Sequence, residues 1–169
     1  MINLKQQKGV GLVEVLVALL LLAIGVLGFS ALQMKAVEAT SETMNQVNAM
    51  NIARDLSERI RINRDGLLFY KKVSEPEICS SETDDGIFCT AQQMAEYDFD
   101  QVSDKALDLG MELAILDCKG SADLKRKCIY VAWEGTTPTD GTASPACTNG
   151  VAYLPNAKCI IVEVYNYND

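Results

Sequence analysis

From Val10 to Leu32 the chain runs 23 residues with a single charged side chain, Glu14. About 20 apolar residues in a helix span the hydrocarbon core of a bilayer, so this stretch is long enough to cross one. A carboxylate near the start of such a helix is costly to hold there, which marks Glu14 as a candidate functional residue. The chain before it is short and basic: it carries Lys5 and Lys8, has no acid, and ends at Gly9.

A basic leader, a break at Gly9 and an apolar span with a glutamate at its fifth residue together resemble the class III signal of type IV prepilins. The resemblance implies that a dedicated prepilin peptidase at the cytoplasmic membrane face cuts between Gly9 and Val10. It also implies that Val10 is then N-methylated and that Glu14 becomes the fifth residue of the mature chain. In that family the equivalent glutamate is thought to meet the terminal amine of a neighbouring subunit; here that would pair Glu14 with the amine of Val10, either in another subunit or within the same chain. Glu14 is therefore the expected assembly and registration residue, with Leu12, Val13, Leu16 and Leu20 supplying most of the attraction. Val10 stands where the family usually has Phe, and Gly11 where Thr or Ser is commoner. The diagnostic glycine and glutamate both match. An ordinary secretory signal would have an apolar region of about 7–15 residues ending at an Ala-x-Ala-like site. The remaining alternative is a signal anchor with a chance glutamate.

The precursor has 169 residues, and removal of the leader would leave 160, enough for one ordinary domain plus an extended helix. Net charge is −8, and loss of Lys5 and Lys8 takes the mature chain to −10. Phosphates demand Lys and Arg, so this balance argues against a directly bound nucleic acid; it reads as solubility. The leader lysines face the cytoplasm by the positive-inside bias, which puts the rest of the chain beyond the inner membrane.

Six cysteines, Cys79, Cys89, Cys118, Cys128, Cys147 and Cys159, all lie beyond the apolar span. An even number in an exported domain suggests three disulfides. Zinc is the competing reading, but the chain has no Cys-x-x-Cys pair and no histidine. Six cysteines allow fifteen connectivities. The sequential set, Cys79–Cys89, Cys118–Cys128 and Cys147–Cys159, is favoured because each closes a short loop of turn-forming residues.

No proline occurs before Pro76, so a helix can run from Val10 to about Asn63, roughly 80 Å at 1.5 Å per residue. Gly25 and Gly28 are its weak points. Ala49, Ile52, Leu56 and Ile60 form an apolar stripe, and Arg54–Glu58 and Asp55–Arg59 are oppositely charged i,i+4 pairs. The looser run through Val37, Met44 and Val47 does not align with that stripe. Asn63-Arg64-Asp65-Gly66 predicts a stop with Gly66 near the cap. Thr90-Ala91-Gln92-Gln93 reads as a capping box opening a second helix over 91–109, ended by Gly110, with a bend conceivable around Tyr97–Phe99. Strand-like runs follow at Met111–Cys118, Cys128–Trp133 and Lys158–Tyr167, whose alternation predicts half-buried antiparallel strands. Between the last two lies a Gly/Thr/Pro/Ser-rich loop, Glu134–Gly150, and Val151–Leu154 is a candidate short strand.

This order predicts an α+β fold. It resembles the pilin fold, a long N-terminal helix with a transmembrane first half, packed on a C-terminal antiparallel β-sheet domain. The expected division is a leader over 1–9, a membrane and assembly segment over 10–32, and a periplasmic head over 33–169. Within pilins the chain is most similar to minor pilins of the PilV type. The similarity rests on residues 5–35 and, downstream, on the Cys79–Cys89 loop, the following helix, and the meander at Cys118, Cys128 and Trp133.

The resemblance implies a minor pilin that primes or enters a type IV pilus, with other pilins and the inner membrane as partners, and finally the cell surface as its location. A minor pseudopilin of a type II secretion system would share the leader. A membrane-anchored periplasmic enzyme is the third class. Without histidine it could hold no Ser-His-Asp or Cys-His arrangement. Glu82, Asp84 and Asp85 lie in a loop without apolar context to shift their pKa values. Asp84, Asp85 and the Gly86 turn offer at most a weak calcium site. The reading is of a structural subunit with no catalytic residues, no metal and no cofactor.

Overall fold

The computed structural model describes residues 11–74, 79, 89–119 and 126–165. The chain divides into two units, Met1–Thr43 and Met44–Asp169, and helix α1 (Leu12–Ile62) contributes to both. In the first unit α1 carries the apolar run, and residues 11–41 are all exposed. Among the described residues α1 is the one helix long and apolar enough to cross a membrane.

In the second unit α1 buries one stripe: Ala49, Ile52, Ala53, Leu56 and Ile60. Val37, Met44 and Val47 stay exposed, as their misalignment with that stripe predicts. The helix stops at Ile62, but Gly66 does not cap it. Gly66 lies inside a 3-10 helix, Arg64–Phe69, and is itself buried. A Cβ there would come within 2.5 Å of the Ala91 carbonyl oxygen and the Asn63 Nδ2, and 2.9 Å of the Ala95 Cβ. Glycine is required at 66 by close approach to the second helix, not by a helix end.

That helix, α2 (Ala91–Asp108), opens on the predicted capping box. Thr90 Oγ1 accepts from the Gln93 amide at 3.2 Å, and Gln93 Oε1 accepts from the Thr90 amide at 2.8 Å. It is continuous through Tyr97–Phe99 and ends before Gly110, whose φ of +69° suits glycine. Ala95, Phe99, Val102 and Ala106 form its buried face.

Strands β1 (Met111–Asp117), β2 (Arg126–Trp133) and β5 (Cys159–Tyr165) form an antiparallel sheet in the order β1-β2-β5. The strands were expected to be half-buried, yet β2 is buried on both faces from Cys128 to Trp133. On one face Met111, Ile129, Val131, Trp133 and Val164 join the buried stripes of α1 and α2 in the main core. On the other, Cys128, Tyr130 and Ala132 pack with Cys147 and Cys159 in a second, smaller cluster. That second cover comes from the segment read as an open loop. Within it β3 (Thr137–Asp140) and β4 (Ala146–Thr148) pair in parallel, and β4 is buried throughout. Val151–Leu154 makes no strand; Tyr153 forms one isolated bridge with Thr148.

The architecture is α+β and pilin-like: a long N-terminal apolar helix followed by an antiparallel sheet domain with three disulfides.

Candidate functional site

The first turn of α1 is set by two facts of sequence. Gly11 has no side chain, and Glu14 is the sole charged group of the apolar run. The Gly11 carbonyl accepts from the amides of Glu14 at 2.9 Å and Val15 at 3.3 Å, which makes Gly11 the residue that precedes the helix and Glu14 its third member. A carboxylate in this turn faces the positive end of the helix dipole. Leu12, Leu16 and Leu20 recur every fourth residue and so share one side of α1, with Val13 beside them. All four are at least 58 % exposed. This turn therefore presents one anion ringed by apolar side chains. Gly9 and Val10, the expected cleavage and methylation positions, lie outside the described residues, as do Glu82, Asp84, Asp85 and Gly86.

In the second unit the six cysteines pair sequentially: Cys79–Cys89, Cys118–Cys128 and Cys147–Cys159. Register explains the second bridge. Leu116 faces Cys128 across the β1–β2 ladder, and the Cys118 amide donates to the Arg126 carbonyl at 3.1 Å, which keeps the chain alongside. The third bridge ties β4 to β5 over the far face of the sheet. Cys118, Cys128 and Glu163 bring three possible metal ligands together. Both sulfurs are spent in the disulfide, and Glu163 is held by Arg126 at 2.6 Å.

A charged network, of which the sequence predicts only the Asp55–Arg59 pair, joins α1 to α2. Arg59 donates to Asp55 at 3.0 Å and to Asp98 at 2.5 Å. Lys105 reaches Asp55 at 3.2 Å, and the Tyr70 hydroxyl donates to Asp98 at 3.3 Å. Of the two helix pairs expected from i,i+4 spacing, Asp55–Arg59 forms; Glu58 is instead taken by Arg61. Burial pushes the Asp55 carboxyl up, but Arg59 and Lys105 outweigh it and hold the group below its ordinary value. Burial, reinforced by the Asp98 charge, pushes the Tyr70 hydroxyl well above its usual range. The signal for Asp98 was legible: it lies three residues after Ala95 and four before Val102, on the apolar stripe of α2. On the other sheet face Tyr130 donates to Asp140 at 2.9 Å, and burial followed by that bond raises its pKa. These groups bond to one another across the elements of the fold.

Two family models match. One, described as type IV pilin Tt1218, covers residues 31–100. The other, the prokaryotic N-terminal methylation motif, covers residues 4–30. No curated protein and no solved structure matches the chain. The methylation motif runs from residue 4 into α1 as far as residue 30, and the pilin match begins at residue 31. The two matches together support a protein of the type IV prepilin family. It is a pilin-like subunit, of a family whose members are structural.

Proposed function

We propose that this protein is a minor pilin, of the kind similar to the PilV type, that primes assembly of a type IV pilus or is incorporated into it. The supporting observation is the methylation motif over 4–30 running directly into the pilin match over 31–100, on a chain whose apolar first turn holds one glutamate. In this reading residues 1–9 are a leader removed by prepilin peptidase between Gly9 and Val10, and the new amine of Val10 is N-methylated. Residues 10–32 anchor the subunit in the inner membrane. Residues 33–169 form a periplasmic head, which reaches the cell surface once the subunit is in a filament.

Assembly follows from the first turn of α1. Leu12, Val13, Leu16 and Leu20 would bury against the helices of other pilins. Glu14 would pair with the terminal amine of a Val10-type neighbour. Little solvent screens that pair inside a filament, and an unmatched charge there is expensive. The pair therefore selects register, while the apolar side chains supply most of the attraction. Nothing in this reading asks the head to do chemistry; it is not an enzyme and takes no cofactor.

Mass spectrometry of the membrane-extracted protein tests processing: the chain should begin at methyl-Val10. An intact Met1 terminus in cells with active prepilin peptidase, or cleavage after Ala18 or Ala23, overturns it. Immunoblots of sheared pili then separate a pilus subunit from a type II secretion pseudopilin. The protein should be found in the pilus fraction, and deleting its gene should leave protein secretion unchanged. A secretion defect with no protein in sheared pili would establish the pseudopilin.

A further inference from the structure

We propose that Asn149 is a site of spontaneous modification. Its side-chain amide closes on the Gly150 nitrogen, sheds ammonia and opens with water to aspartate or isoaspartate, in a turn whose bonds favour the closure. The inference concerns the second unit alone and is independent of the assignment to a pilus or a secretion system.

Such a closure needs an asparagine whose successor leaves its backbone nitrogen uncrowded. Glycine does this best, because it has no Cβ beside the attacking atom. Asn149-Gly150 is the single Asn-Gly pair among the 169 residues. It follows β4 on the way to β5, with Asn149 exposed and Gly150 half-buried at a φ of +86°. Water, which must open the ring, therefore reaches the side chain.

The turn is bonded as an acyl-transfer site would be. The electrophile is Asn149 Cγ. Its Oδ1 accepts from the Val151 amide at 3.0 Å and from the Ala152 amide at 2.9 Å. Two fixed N–H donors on an oxygen that becomes an oxyanion lower the barrier to attack on its carbon. The nucleophile is the Gly150 nitrogen. Its N–H donates to Thr148 Oγ1 at 3.0 Å, and that hydroxyl donates to the Ala152 carbonyl at 2.8 Å. A hydroxyl that gives its own proton to a carbonyl is the stronger acceptor, so Thr148 draws the proton off the attacking nitrogen. Thr148 is 4 % exposed, which keeps its oxygen on these two partners. The Asn149 amide also donates to the Ala152 carbonyl, at 3.1 Å. Electrophile, nucleophile and donors thus all lie within residues 148–152.

The atoms balance with water alone. The Gly150 N–H proton passes to solvent hydroxide as the N–Cγ bond forms. The Cγ–Nδ2 bond then breaks, and Nδ2 leaves as ammonia with a proton from water. A five-membered succinimide joins the two residues. Water adds to one of its two carbonyls. Addition at Cγ gives aspartate. Addition at the backbone carbonyl gives isoaspartate, whose chain runs through Cγ and is one carbon longer. Either product puts a carboxylate where a neutral amide stood, beside Gly150, over which the stem of Lys119 lies. The Cys147–Cys159 disulfide spans the position, so the altered turn stays tied to the sheet.

The experiment incubates the full-length protein in detergent and mildly alkaline buffer, native and, in parallel, reduced in guanidinium. Peptides carrying residue 149 are then mapped for asparagine, aspartate and isoaspartate. Both products should accumulate, and faster in the native protein, because only the fold supplies the donors. Thr148→Val with unchanged Trp133 fluorescence should slow native conversion about five-fold, the effect of one ordinary hydrogen bond. Should that variant not fold, the native and unfolded rates of wild type decide alone. Asn149 that persists in the native protein while the unfolded chain converts, or equal rates in the two states, overturns the proposal. Folded Thr148→Val that converts as fast as wild type overturns the part given to its hydroxyl.

Discussion

Arg59 and Asp98 stand 39 residues apart in the chain and 2.5 Å apart in the fold, one on α1 and one on α2. Asp98 is buried on the apolar face of its helix, and the same guanidinium holds Asp55 on α1. Arg59 thus fastens two helices that Lys105 and Asp55 also join, at 3.2 Å. Removing it leaves Asp98 with Tyr70 as its bonded partner among the contacts that define the network. Breaking a buried pair by deleting one member is strongly destabilising; part exposure of Arg59 reduces the effect. Arg59→Ala should cost about 2–3 kcal/mol, while Arg61→Ala, whose pair with Glu58 is mostly exposed, should change stability by less than about 0.5 kcal/mol. Urea unfolding of the full-length protein in detergent reads both, because Trp133 is the single tryptophan and lies in the main core. Equal effects would remove Arg59 from its special position.

Acid should loosen the same junction. The Asp55 carboxyl is held below its ordinary value of 3.8 in the folded protein. The unfolded chain therefore binds the proton first, and the stability this group contributes is complete above that ordinary value. It drains away as the pH falls from about 3.8 through the lower folded value. Urea midpoints measured from neutral pH downward should fall more steeply in wild type than in Asp55→Asn once the pH passes below about 4. Identical acid limbs in the two proteins would show that Asp55 contributes nothing to that dependence.

How far the sequence reveals this fold depends on whether burial left a period. The apolar stripe Ala49–Ile60, the capping box at Thr90 and the alternation of Ile160, Val162 and Val164 each carry a local pattern, and each became the expected element. Glu14 stands out in the sequence as the one charge in a run of 23 residues, and the structure places it in the first turn of α1. The parallel β3–β4 ribbon was not. Its residues are turn formers whose partners lie across a loop, so neither strand has a period of its own. The second burial of β2 was hidden for the same reason: the cover comes from that ribbon and from Cys147–Cys159. Gly66 read as a helix end because glycine near a helix terminus usually is one. Only the position of Ala91 reveals the close approach.

That approach gives a sharp expectation. Gly66→Ala adds one carbon where the Ala91 carbonyl oxygen and Asn63 Nδ2 stand at 2.5 Å and the Ala95 Cβ at 2.9 Å. Two of the three obstacles are backbone or a methyl on α2, so relief requires the 3-10 helix and α2 to separate. Overpacking of this kind costs about 1–3 kcal/mol. It should also break the bond from Asn63 Nδ2 to the Ala91 carbonyl, now 2.8 Å. Gly135→Ala is the control: no atom lies within 4 Å of its Cβ position, and the cost there is that of a positive φ alone, about 1 kcal/mol. A Gly66→Ala head that unfolds at the same urea concentration as the control would refute the packing argument.

The three disulfides should differ in how readily they are reduced, because reductant needs access to sulfur. Cys147 has no exposure and Cys159 is 9 % exposed, both within the smaller cluster under β2. Cys118, by contrast, is half-buried at the end of a strand and offers reductant one accessible sulfur, although its partner Cys128 is 4 % exposed in that same cluster; Cys79 and Cys89 are half-buried too. Graded treatment of the native full-length protein with a small dithiol, followed by alkylation and peptide mapping, should therefore label Cys79, Cys89, Cys118 and Cys128 before Cys147 and Cys159. Loss of the last bridge should bring the larger change in the head. It fastens β4 to β5 and with them the cover of Tyr130 and Ala132, and a native bridge of this loop length contributes about 2–4 kcal/mol. The first two bridges should open with Trp133 fluorescence nearly unchanged, and the third with a shift toward the unfolded spectrum. Early labelling of Cys147, or a mapped Cys79–Cys147 or Cys128–Cys159 peptide before reduction, would overturn both the order and the pairing it is built on.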